Sequence, residues 1–194
     1  MSSALASAWS SRLAATLLLL SLGTAATASA RVFHSQRDAL ELAFPEADRI
    51  ERRNLILNDA QAEAIRSRSR APLDSRIVTL HVGWRDNEVL GYAVIEVHTV
   101  RTLPEALMTV LAPDGSVRSV RVLAFYEPVD YMPPERWLAQ FDEKRLSPAL
   151  QIKRDVHAIA GATLSSRAAT RSVRRALAFY EVLIVEPIPK VAED

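Results

Sequence analysis

The sequence predicts an α+β fold, an antiparallel meander of strands with helices packed on it, and three observations carry that expectation. Between residues 75 and 125, apolar and polar side chains alternate with a period of two in runs separated by turn residues. The segments before and after this stretch have the three-to-four-residue spacing of helices instead. The length of 194 residues suits a single core with an appendage.

The elements follow in chain order. Ser35 is a natural N-cap for a helix reaching Phe44, with Leu40 and Phe44 one turn apart and Pro45 as the stop. Arg49 to Leu57 ends in an apolar run and reads as a strand, after which Asn58 caps a helix from Asp59 to about Arg68. Ile77, Thr79 and His81 alternate with Val78, Leu80 and Val82, and Asp86-Asn87-Glu88 turns the chain into a strand over Val89 to Val100. Leu107 to Leu111 gives a third strand, Pro113-Asp114-Gly115-Ser116 a hairpin turn, and Val117 to Phe125 a fourth strand. Pro133-Pro134 opens a helix carrying Trp137, Leu138 and Phe141. The last helix, about Ser165 to Leu183, has an apolar stripe through Ala169, Val173, Ala176, Leu177 and Tyr180, and an opposite stripe of Arg167, Arg171, Arg174 and Arg175.

Residues 1–30 read as a secretory signal peptide. Arg12 stands in a short n-region, Leu13 to Leu22 is apolar, and Ala28-Ser29-Ala30 fits the small-residue cleavage rule, placing the mature start near Arg31. The apolar run falls short of the roughly 20 residues of a comfortable membrane span, which leaves an uncleaved anchor as the lesser alternative. The expected organisation is a signal peptide over 1–30, an N-terminal helical segment over 31–74 packed on the main domain, and the main domain over 75–194. The expected location is the periplasm or another exported compartment.

Composition narrows the chemistry. A formal net charge of +1 gives no case for nucleic acid. The absence of cysteine excludes disulfides, thiolate nucleophiles, iron–sulfur ligation and thioether haem attachment. His34, His81, His98 and His157 show no ligand spacing, so no metal site is expected. That leaves an exported protein of this composition with a flavin, a metal held by His and carboxylates, or no redox role.

The informative stretch is residues 157–166, His-Ala-Ile-Ala-Gly-Ala-Thr-Leu-Ser-Ser. Its small residues allow close approach to the backbone, and a helix begins directly after it. The outward-pointing amides and positive dipole end of that helix favour a phosphate. The Thr163 hydroxyl can hold such a phosphate or be esterified to it, and Arg167 and Arg171 can add charge. Taken alone, the stretch serves equally as a turn with a helix cap.

Gly161-Ala162-Thr163-Leu164-Ser165-Ser166 resembles the attachment motif of the FMN-binding domain family, which includes the covalent-flavin subunits of the sodium-pumping NADH:quinone reductase and of a related ferredoxin-oxidising complex. The family pattern is approximately Asp-x-x-Ser/Thr-Gly-Ala-Thr/Ser-x-Ser/Thr. His157 stands at the acid position and Ala160 at the Ser/Thr before the glycine. The likeness extends to the P-D-G-x-V turn at 113–117, to Gly91-Tyr92-Ala93, to Glu127 in the place of a flavin-facing glutamate (Pro128 replacing the threonine), and to Trp137 and Phe141. The resemblance implies an FMN-binding-domain-like fold over roughly residues 75–185. It also implies FMN joined through its phosphate to Thr163 by a flavin transferase, and electron exchange with membrane or exported redox proteins. Cofactor-binding residues would be Thr163, Gly161, Ala162, Leu164, Ser165, Ser166, Glu127 and His157. Two other roles fit the same residues: a flavin-dependent reductase using Glu127 or His157 as proton donor, and a flavin-less binding or assembly module.

Overall fold

The computed structural model describes residues 31–186; the expected signal peptide lies outside them. Six strands form one sheet: β1 (Arg31–Val32), β2 (Arg49–Ile56), β3 (Ile77–Arg85), β4 (Glu88–Thr99), β5 (Pro104–Leu111) and β6 (Val117–Phe125). The order is β1-β6-β5-β4-β3-β2, with every pair antiparallel. The architecture is the predicted α+β meander with packed helices. Strand β5 starts three residues before the alternating pattern does. Pro104 and Glu105 pair with Thr99 and His98, and a proline at a strand's first residue withholds no needed ladder donor.

Helix α1 (Gln36–Ala43) covers one face of the sheet, packing Ala39, Leu40, Ala43 and Phe44 on Ala93, Met108, Val110 and Leu123. Its cap is Ser35, whose hydroxyl accepts from the Asp38 N–H. The other face carries α2 (Asp59–Ser69), the short α3 (Glu135–Leu138) and the long α4 (Thr163–Tyr180). Asn58 and Gln61 close a complete capping box on α2. Val173 and Leu177 of α4 meet Val82, Leu107 and Val120 of the sheet, while Ala176 and Phe179 meet Ile65 of α2. Residues 31–74 thus supply two strands of the sheet as well as α1 and α2, because β2 pairs along its whole length with β3. The sheet is continuous across residue 75.

Two helical expectations are revised. After Pro134 the α-helix lasts only four residues and tightens into a 3-10 turn over Ala139–Phe141. There Trp137 and Phe141 make a buried edge-to-face pair, 5.5 Å between ring centres. In α4 the arginine stripe divides, with Arg167 and Arg171 exposed and Arg174 and Arg175 buried. The Arg174 guanidinium donates to the carbonyls of Arg68, Ser69, Ser147 and Leu150. Arg175 forms a bidentate pair with Glu96 of β4, whose carboxylate also accepts from the Ser172 hydroxyl. These two cations fasten α4 to the C-terminus of α2 and to the sheet. An amphipathic projection misses them because α4 is packed on more than one side.

Candidate functional site

Helix α4 begins without a cap. Its N-cap position is Ala162, which has no side-chain acceptor to offer, and the N–H groups of Thr163, Leu164 and Ser165 have no partner among the described residues. The first four amides of any helix lack intrahelical acceptors. Here only the first of the four, the Ala162 N–H, is satisfied, by the Ile159 carbonyl (3.1 Å), and the bond from the Ser166 N–H to the Ala162 carbonyl (3.1 Å) is the first of the helix itself.

The preceding loop is shaped to leave that end open. Gly161 has φ +78°, a left-handed conformation that favours glycine, and a Cβ there would meet no atom within 4 Å. The residue is therefore fixed by backbone conformation rather than by crowding, and space remains beside the helix start. Ser166 holds the loop in place: its hydroxyl donates to the Ala162 carbonyl (3.0 Å) and accepts from the Ile159 N–H (2.9 Å). Ser166 is wholly buried and does not line the cavity described next.

A cavity of about 250 Å³ opens at this helix end, lined by Val100, Arg101, Glu127, Tyr131 and residues 161–165. The fold thus gathers Gly161, Ala162, Thr163, Leu164, Ser165 and Glu127 around one space. Thr163 and Leu164 are exposed at its mouth, and Ser165 is buried in its wall. A larger cavity of about 310 Å³ between β6 and residues 132–142 contains none of the predicted site residues.

Glu127, just beyond β6, is only 6% exposed. Its Oε1 accepts from the N–H groups of Thr102 (2.6 Å), Leu103 (2.8 Å) and Arg101 (3.2 Å) in the β4–β5 turn. The Thr102 amide, followed by those of Leu103 and Arg101, holds its carboxyl below the usual glutamate range against the opposing effect of burial. An ionised glutamate so engaged is an acceptor and not a proton donor.

His157 is placed differently from the other predicted residues. Its side chain is exposed and does not line the cavity. Its backbone is strapped to the α3 region instead: the Trp137 indole N–H donates to its carbonyl (2.7 Å), and its own N–H donates to the Gln140 side-chain oxygen (2.8 Å). Sequence reading missed Val100 and Arg101, because strand alternation shows where a turn falls but not what faces it. Tyr131, an aromatic near a strand end that could stack on an isoalloxazine or serve in packing, is 38% exposed at the cavity wall.

The residues present fit a flavin phosphate: unpartnered helix amides, an open glycine, a hydroxyl at the first helical position and a cation across the gap. No group of three or more His, Asp or Glu able to hold a metal occurs among the described residues. No curated protein matches the chain significantly. Residues 104–178, from the start of β5 to near the end of α4 and so including Glu127 and Thr163, match the family model of the FMN-binding domain. That segment is similar to the FMN-binding domain family, and the similarity suggests a flavin-binding role.

Proposed function

We propose that this protein is an exported flavoprotein electron carrier that holds FMN at the α4 N-terminus through a phosphoester to Thr163. The observation that carries the assignment is the uncapped start of α4, where three free amides and the Thr163 hydroxyl share one cavity. When bound, FMN supplies the redox chemistry; the fold supplies its orientation and electrostatic surroundings.

The protein's own groups divide the work. The amides of Thr163, Leu164 and Ser165 receive phosphate oxygens, and the dipole of the 18-residue α4 favours their charge. Val100, Leu164 and Tyr131 offer apolar surface to an aromatic ring. Thr163 is exposed, as access by a maturing enzyme requires. In that maturation a flavin transferase joins the Thr163 oxygen to the FMN phosphorus of FAD. The pyrophosphate bond breaks, AMP departs and the hydroxyl proton is released. A covalent tether suits a compartment where lost FMN is not readily replaced. Membrane or exported redox proteins would deliver and remove the electrons. The reductase alternative is weakened by the three-amide engagement of Glu127, whose carboxyl is held below the usual range, and by the exposed His157 side chain not lining the cavity.

The test is peptide mass spectrometry of the chain co-expressed with a flavin transferase. FMN is expected on the peptide containing Thr163, and Thr163→Ala should abolish it. Protein that emerges colourless, with no added mass on that peptide, would refute covalent attachment.

A further inference from the structure

We infer that Arg101 contacts the cofactor phosphate and that Glu127 is the residue that positions it, an assignment that rests on the flavin-binding reading of the cavity. The β4–β5 turn runs from Val100 to Leu103 and is closed by a bond from the Val100 N–H to the Leu103 carbonyl (3.1 Å). That single bond leaves the amides of Arg101, Thr102 and Leu103 available, and Glu127 Oε1 gathers all three. The Thr102 hydroxyl lies 3.4 Å from the same oxygen.

This clasp resolves an electrostatic difficulty. A carboxylate in the wall of a phosphate cavity would ordinarily repel the ligand. Here its charge is met by the turn amides, while the turn it secures places Arg101 in the wall of the same cavity. The guanidinium is uncommitted: Arg101 is exposed, and the ion pairs among the described residues involve other cations. The other wall is the α4 N-terminus with its free amides. Both walls therefore present positive potential to the space between them. A phosphoester to Thr163 keeps one negative charge and free FMN carries up to two, so either form suits the gap. Glu127 acts through the turn, by holding Arg101 opposite the helix.

Full-length protein made without a flavin transferase, titrated with FMN and with riboflavin by quenching of flavin fluorescence, tests this. Wild type should prefer FMN. Arg101→Gln should weaken FMN binding by about tenfold, the scale of one charge-assisted contact, and leave riboflavin binding unchanged. Arg101→Lys should restore part of the loss. Glu127→Ala should reproduce the FMN-selective loss and accelerate hydrogen exchange at the amides of residues 101–103, which Arg101→Gln leaves protected. Glu127→Gln, retaining an acceptor without the charge, serves if the alanine variant does not fold and should show a smaller version of the same pattern. Equal loss of both flavins in Arg101→Gln, or no loss of either, overturns the role of Arg101. Impaired binding with unchanged exchange at 101–103 in the Glu127 variants overturns the positioning role. Equal wild-type affinity for the two flavins removes the phosphate contact while leaving a flavin site. Wild type that binds neither, and carries no adduct after co-expression with a transferase, removes the flavin reading and this inference with it.

Discussion

Replacing Arg174 with methionine tests how α4 is held. The side chain is 3% exposed and forms no ion pair among the described residues. It donates from Nε to the Ser69 carbonyl at 2.6 Å, from Nη1 to Ser147 at 2.7 Å and Leu150 at 3.0 Å, and from Nη2 to Arg68 at 2.8 Å. Methionine fills much of the stem's volume and donates nothing. At about 1–3 kcal/mol for each buried acceptor left unpaired, four carbonyls give a gross loss of about 4–12 kcal/mol. Against this stands the cost of desolvating the cation, several kcal/mol, which the variant no longer bears. Burial, with the nearby Arg70 charge adding to it and Glu181 opposing, pulls the Arg174 pKa down. The expected net destabilisation is about 3 kcal/mol, and at about 2–4 °C per kcal/mol Tm should fall by about 6–12 °C. Urea denaturation and thermal unfolding of the flavin-free protein measure it, with exposed Arg167→Met as a control expected within about 0.5 kcal/mol of wild type. A loss below about 1 kcal/mol for Arg174→Met would mean that water or local rearrangement satisfies the carbonyls, and the fastening role would be wrong.

Two further outcomes follow from single residues. Gly161→Ala should cost about 1–2 kcal/mol from its left-handed φ alone, since a Cβ meets nothing within 4 Å. Gly161→Asn should cost less, and equal urea midpoints for Ala and wild type would show that the loop readily adopts another conformation. His81 is 3% exposed with Gln36 as its side-chain partner, and burial lowers its pKa from the ordinary 6.5. The unfolded chain therefore takes up the proton first, so stability should fall as pH drops below about 6.5, by up to about 1.4 kcal/mol per pH unit until the folded imidazole also protonates. His81→Gln should flatten this dependence in urea midpoints measured between pH 5 and 7.5; an unchanged slope would place its origin in another group.

The parts of the fold readable in the sequence are those set by local chemistry. Ser35 and Asn58 mark helix starts through their own side chains. Asp86 and Asn87 both have positive φ in the β3–β4 turn, a conformation their side chains tolerate. The parts that were not readable depend on partners distant in sequence. Arg174 looks like a surface residue until it meets carbonyls more than 100 positions earlier. Glu127 looks like a loop acid until the amides 24 to 26 residues before it converge on one of its oxygens. At the site, Gly161 to Ser165 were legible because they are contiguous. Arg101 was not, because only the register of β4 with β5 brings its turn to the helix end.

The uncapped start of α4 joins folding to function. Ser, Thr, Asn or Asp at an N-cap is favoured over Ala by about 1 kcal/mol, and this chain uses such residues to begin both α1 and α2. Among the three helices of eight residues or more described, the exception is Ala162, at the head of the 18-residue α4, at the point where the cavity opens. A side-chain cap would occupy the amides that a phosphate needs. A phosphate seated there would make the bonds that a cap makes, with more charge and along the helix dipole. With FMN seated there as proposed, cofactor binding and the order of the first turn of α4 would be coupled, because a ligand that binds only the folded chain adds to its stability. The same local deficit that makes Ala162 a poor helix start leaves the Thr163 end of α4 open to an anion.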